Sequence, residues 1–73
     1  MKIDLMSSYR VEKYHVEYEN MIFIVEVFYN AFGKVIDENV YDSNESLVFD
    51  GHNLNGSSFD YEEFLDEFYA LIG

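Results

Sequence analysis

Beyond residue 34 this 73-residue chain contains ten Asp and Glu and no Lys or Arg. Five of those acids, Asp60, Glu62, Glu63, Asp66 and Glu67, fall within eight residues. On a helix, at 100° per residue, Asp60, Glu63 and Glu67 cluster, with Glu62 and Asp66 flanking them opposite a stripe of Phe64, Leu65 and Phe68. A rise of about 1.5 Å per residue then gives roughly one negative charge per 2–2.5 Å of axis, close to the one per ~1.7 Å of duplex DNA. Carboxylates at that density substitute for phosphates in a groove lined with Lys and Arg, gaining charge complementarity and steered association. Like charges three and four residues apart cost a few tenths of a kcal/mol each, eased near the positive helix N-terminus, so a basic partner is the expected compensation.

Other chemistry is poorly supplied. His15 and His52 stand 37 residues apart with no Cys in the chain, so zinc would need carboxylates gathered by the fold. Asp42, Asn44 and Ser46 imitate the first ligand positions of a calcium loop, but Leu47 stands where that loop needs Gly. No G-x-S-x-G elbow activates Ser46, and no Gly-rich loop joins a strand to a helix to cradle phosphate. Glu62 and Glu67 lie on an exposed helix face rather than in a cleft that would split their pKa values. We therefore expect no catalytic residues, no metal and no cofactor: the protein is not an enzyme.

A single domain, 1–73, is expected from the length. A chain this short buries only roughly 60% of its unfolded surface, which leaves little room for an internal active site. The composition, 49% hydrophobic and 19% aromatic, excludes a disordered acidic tail. Absence of Cys suits a reducing cytosol, and the apolar run 21–25 is far short of the ~20 residues of a membrane span. The start of the chain does not read as a signal peptide, so the expected location is the host cytosol. Charge is asymmetric: residues 1–34 hold all four bases with five acids, nearly neutral, whereas the remainder is purely anionic. A surface built only for solubility would intersperse Lys or Arg among its acids.

The elements that must position these acids read as α+β. Residues 9–18 alternate Tyr14, Val16 and Tyr18 against Lys13, His15 and Glu17, a half-buried strand with His15 on its wet face. Glu19-Asn20 breaks the chain for a hairpin, and residues 21–29 form a β-branched, aromatic central strand. The turn 30–33, with Gly33 free to take positive φ, leads into a third strand over 34–41. Asp42 with Glu45 fits a capping box that opens residues 46–49 as either one helical turn or a fourth strand. Residues 52–58 are loop, Ser58 is the expected helix N-cap, and from Phe59 onward Tyr61, Phe64, Leu65, Phe68, Tyr69 and Ile72 recur at helical spacing. The expected architecture is a three-stranded antiparallel sheet, four-stranded on the second reading of 46–49, covered by a C-terminal amphipathic helix.

This order, with the segment 44–48 (Asn-Glu-Ser-Leu-Val) and Tyr61-Glu62-Glu63-Phe64 followed by further acids, resembles type II-A anti-CRISPR proteins of phages over residues 14–69. These are small acidic inhibitors that occupy the PAM-reading and nearby nuclease surfaces of Cas9. The resemblance implies that Glu62, Glu63, Asp66 and Glu67 replace the PAM duplex and that the turn 30–34 is the inserted hairpin tip. Ala31 and Phe32 depart from the polar tip expected there, and no N-terminal helix is evident. Glu45-Ser46-Leu47 before an acidic helix is similar to phage inhibitors of uracil-DNA glycosylase, which use a Glu-Ser-Ile motif and an apolar anchor. Partner contact is thus expected at Asp37, Glu38, Asp42, Glu45, Ser46, Leu47, Asp60, Glu62, Glu63, Asp66 and Glu67. The expected function is DNA mimicry that blocks the basic groove of a DNA-processing enzyme, a Cas9-type nuclease first and uracil-DNA glycosylase second, with no direct contact to nucleic acid or membrane. A different class of function is a self-associating adaptor, because seven Tyr and seven Phe exceed what one small core hides, making a homodimer a further expected partner.

Overall fold

Alternation of apolar and polar residues extends further toward the N-terminus than the strand read over 9–18. The computed structural model describes residues 1–9, 11–50 and 59–72. In it β1 (Lys2–Tyr9), β2 (Val11–Tyr18), β3 (Met21–Tyr29), β4 (Val35–Tyr41) and β5 (Leu47–Phe49) form one antiparallel sheet in the order β1-β2-β3-β4-β5, followed by α1 (Tyr61–Ile72). The α+β reading holds, but the strand count rises from three or four to five. Of residues 46–49, Leu47–Phe49 form a strand and Ser46 belongs to the turn before it, and Tyr9 closes β1 instead of opening β2. In β1, Ile3 and Leu5 share one parity against Lys2 and Asp4, and that face pairs with Val16 and Tyr14 of β2.

Three tight turns set the register. Glu19 and Asn20 both take left-handed backbone (φ 50° and 64°), and Tyr18 pairs with Met21; this two-residue loop matches the twist of the strands it joins. The next two turns repeat one design. Asn30 Oδ1 accepts from the N–H groups of Phe32 and Lys34 at 2.9 and 3.0 Å, and Gly33 takes φ 78°. Asp42 Oδ1 likewise accepts from Asn44 and Ser46 at 2.9 and 3.0 Å, with Glu45 at φ 63° in the place of the glycine. The Asp42–Glu45 spacing therefore encodes a hairpin turn and not the helix cap read from it, because the Asp carboxylate serves amides two and four residues on within a loop.

Residues of one parity make the core. Tyr14 and Val16 of β2, Phe23, Val25 and Val27 of β3, Val40 of β4 and Phe49 of β5 are buried beneath α1, which contributes Tyr61, Phe64, Leu65 and Phe68. Ring contacts fix the helix direction: Phe64 lies 5.2 Å from Tyr18 and 5.0 Å from Phe23, while Phe68 lies 5.1 Å from Tyr14. The helix thus runs antiparallel to β2. Full burial of Phe64 and Phe68 contributes about 1.5–3 kcal/mol each, and so holds the opposite side of the helix in a fixed orientation toward water. The other parity, Lys13, His15, Ile22, Ile24, Glu26, Phe28 and Tyr41, forms a second sheet face on which no described element packs. His15 belongs to that face, half-buried, whereas His52 lies outside the described residues.

Candidate functional site

Helix α1 begins one residue after Asp60, whose side chain caps it: Oδ1 accepts from the Glu63 amide at 3.0 Å, and the Asp60 carbonyl from Phe64 N–H at 3.1 Å. An Asp at this position satisfies an amide that has no intrahelical partner and places its charge at the positive end of the helix. The expected cap, Ser58, lies outside the described residues. With Tyr61, Phe64, Leu65 and Phe68 buried, the acids Asp60, Glu62, Glu63, Asp66 and Glu67 are all exposed, spread over about 160° of the helix circumference.

Little on the molecule neutralises them. The last turn of α1 carries no basic residue. Among the described residues the only salt bridge is Lys13–Glu26, at 3.5 Å, on the uncovered face of the sheet. Glu62, at i−4, and Glu63, at i−3, face Asp66, and Glu63 also stands four residues before Glu67, so like charges adjoin along the helix.

Two neighbours outside the helix enlarge the acidic surface. The phenol of Tyr18, beneath α1, is held protonated above its ordinary range, first by desolvation and then by the charges of Glu19, Glu67 and Glu63, with Glu67 also hydrogen-bonded to it. Glu19, in the β2–β3 turn, therefore borders the acidic face, although it belongs to the near-neutral half of the sequence. The sequence marks Glu19-Asn20 as a turn, but spacing carries no information on which helix the turn will meet. On the opposite flank the Tyr69 hydroxyl is buried without a hydrogen-bond partner; its pKa is raised by burial first, then by Glu38, the neighbouring phenol of Tyr29 and Asp37. Glu38, which pairs with Val27 on the covered face, thus borders the C-terminal half of α1, whereas Asp37 pairs with Phe28 on the uncovered face.

The remaining expected contacts do not join this surface. Asp42 spends its carboxylate on the β4–β5 turn, and Glu45 lines a groove of about 390 Å³ with Met6, Lys13, Ile24, Glu26 and Tyr41 on the uncovered sheet face. Ser46 is exposed in the same turn, and Leu47 pairs with Tyr41, which shares that face with Ile24. The eleven expected positions consequently divide into a helical group bordered by Glu38, and a group on the other side of the sheet made of Asp37 and the turn residues.

Among the described residues no three His, Asp or Glu side chains gather to hold a metal ion. Likewise, no described helix is long and apolar enough to cross a membrane. Compared with known proteins, the chain matches no family model, no curated protein and no solved structure.

Proposed function

We propose that the protein is a DNA-mimicking inhibitor that occupies the basic groove of a DNA-processing enzyme with the acidic face of α1. The observation that carries this reading is the exposure of Asp60, Glu62, Glu63, Asp66 and Glu67 on one rigidly seated helix, with no described cation paired to them. Over the roughly 10 Å from residue 60 to residue 67, five charges give about one per 2 Å, near the phosphate density of a duplex. Pinning by Phe64 and Phe68 limits the ordering cost at binding, and rigidity of this kind favours affinity.

A Cas9-type nuclease is the proposed target, with Glu62, Glu63, Asp66 and Glu67 standing where the PAM duplex would lie. The uracil-DNA glycosylase alternative requires Glu45-Ser46-Leu47 to act together with the acidic helix, and Leu47 instead pairs on the uncovered sheet face. The separation favours the nuclease reading. Cleavage of a PAM-bearing duplex by a guide-loaded Cas9-type nuclease, measured beside uracil excision by a glycosylase, tests the proposal. Inhibition of cleavage that disappears when Glu62, Glu63, Asp66 and Glu67 are replaced by Lys supports it; inhibition of neither enzyme, or inhibition indifferent to those replacements, removes it.

A further inference from the structure

The two edges of the sheet differ. β5 offers three residues, too few to recruit another strand well, whereas β1 offers eight. Which backbone groups of β1 face outward follows from the β2–β3 hairpin. The two-residue loop Glu19-Asn20 makes Tyr18 and Met21 a hydrogen-bonded pair, so Val16 and Tyr14 also bond toward β3, and Glu17 and His15 toward β1. Lys2 and Asp4 pair with Glu17 and His15 and spend their N–H and C=O groups there. Those of Ile3 and Leu5 therefore point away from the sheet. Beyond Leu5 a bulge around Met6 shifts the register and bends the edge, so residues 1–5 are its flat part.

The side chains of this stretch are sorted by face. Ile3 and Leu5 lie on the covered side, where Met1, Tyr14, Leu71 and Ile72 join them around an open groove of about 410 Å³ at the end of α1. Leu5 and Leu71 keep 54% and 59% of their surface exposed. Lys2 and Asp4 lie exposed on the uncovered side, and among the described residues neither belongs to a salt bridge.

We infer that β1 pairs antiparallel with β1 of a second copy, about a two-fold axis that passes through the sheet at Ile3, giving one continuous ten-stranded sheet. The outward groups of Ile3 and Leu5 leave three symmetric registers, centred on Ile3, Asp4 or Leu5. Centring on Asp4 opposes that carboxylate to its own copy. Centring on Leu5 sets Asp4 against Met6 and carries the pairing into the bulge. Centring on Ile3 keeps the pairing within residues 1–5 and sets Lys2 of each copy opposite Asp4 of the other, with Met1 opposite Leu5. Opposite charges directly across a strand pair attract, and the diagonal Lys2–Lys2 and Asp4–Asp4 neighbours lie further apart than the direct pairs. The flanking strands continue the alternation, because Glu17 adjoins Lys2 in its row and His15 of the second copy adjoins Asp4. Edge charges that keep other strands away are thus matched by this chain's own edge.

Net charge does not oppose the pairing. β1 carries one charge of each sign, and the acids after residue 34 stand on β4, around β5 and on α1. The helices lie over β2 and β3, which at about 4.8 Å per strand sets the two copies about 15–25 Å apart, beyond the Debye length of about 8 Å at physiological salt. The dimer is independent of the mimicry reading, since both acidic faces stay exposed and the variants below leave them unchanged.

Sedimentation equilibrium on the full chain tests the inference. The expected species at high protein concentration has twice the 8.7 kDa chain mass. Lys2→Glu and Asp4→Lys singly are each expected to weaken dimerisation about three- to tenfold at low salt, since two symmetry-related pairs change at once, and the double variant Lys2→Glu/Asp4→Lys to restore it. Leu5→Pro, checked for retained far-UV circular dichroism, removes an outward N–H and none of the bonds to β2, and is expected to be monomeric. The charge pair stays informative if Leu5→Pro fails to fold. A wild-type chain that stays monomeric up to about 500 µM overturns the inference. So does a dimer whose strength ignores the charge exchange, and so does a series of growing oligomers, as pairing of β1 with β5 would produce.

Discussion

Asp66→Lys separates what the acidic helix does for the fold from what it does for a partner. Asp66 stands four residues after Glu62 and three after Glu63, on the exposed side of α1, with no described cation in a salt bridge to it. Each like-charge pair at that spacing costs about 0.2–0.5 kcal/mol, and each opposite pair gains a similar amount, with Glu before Lys at i,i+4 the better orientation. Replacement removes two repulsions and creates two attractions. Lys is also the better helix former. The sum is about 1 kcal/mol of added stability, which for a domain of this size raises Tm by about 4–8 °C. Thermal denaturation followed by circular dichroism at about 20 mM salt measures it, and the gain is expected to shrink at about 1 M, where the charges are screened. The same variant is expected to inhibit the target less. An unchanged or lower Tm at low salt would refute the reasoning, because it would mean that the Asp66 carboxylate already has a favourable partner in the folded chain.

The two matched turns give a second expectation. Glu45→Gly removes a left-handed non-glycine residue and is expected to stabilise the fold by about 0.5–1 kcal/mol, whereas Gly33→Ala, whose Cβ would meet nothing within 4 Å, is expected to cost about 1 kcal/mol through backbone conformation alone, both measured by chemical denaturation. Alkaline pH gives a third. Tyr14, Tyr18, Tyr29 and Tyr69 are held above the ordinary phenol range by burial first, and Tyr41 by its hydrogen bond to Glu26 first. A pKa raised in the folded state gives stability that is full below the unfolded value near 10 and is lost as pH climbs through the folded values. Absorbance of tyrosinate near 295 nm is therefore expected to rise late and together with unfolding; titration of every tyrosine near pH 10 with the fold intact would contradict it.

Residues whose neighbours are local were the legible ones. The stripe of Phe64, Leu65 and Phe68 opposite five acids is a property of one helix, and spacing alone placed both faces. The hairpin at Glu19-Asn20 and the both-sided apolar β3 were equally local. What the sequence concealed depends on pairing. β1 alternates only over Lys2–Leu5 before Met6 and two serines break the pattern, and it runs on to Tyr9 because a long ladder with β2 satisfies its backbone. The Asp42–Glu45 pattern is compatible with a helix cap and with a hairpin turn, since in both an Asp side chain accepts from amides shortly after it; pairing of Leu47 with Tyr41 decides for the turn. Glu19 borders the acidic face only because Phe64 packs on Tyr18. Conversely, Asp42 and Glu45 shared the base-free half of the chain with the helix acids, yet the sheet lies between the two groups.

Displacement of a fluorescent PAM-bearing duplex from a guide-loaded Cas9-type nuclease, followed at several salt concentrations, tests the central claim most directly. The wild-type chain is expected to displace the DNA competitively, with potency that falls steeply as salt rises. A variant carrying Glu62→Gln, Glu63→Gln, Asp66→Asn and Glu67→Gln is expected to lose at least about tenfold in potency and most of the salt dependence. Equal potency of the two proteins, or simultaneous binding of protein and duplex, would contradict the account.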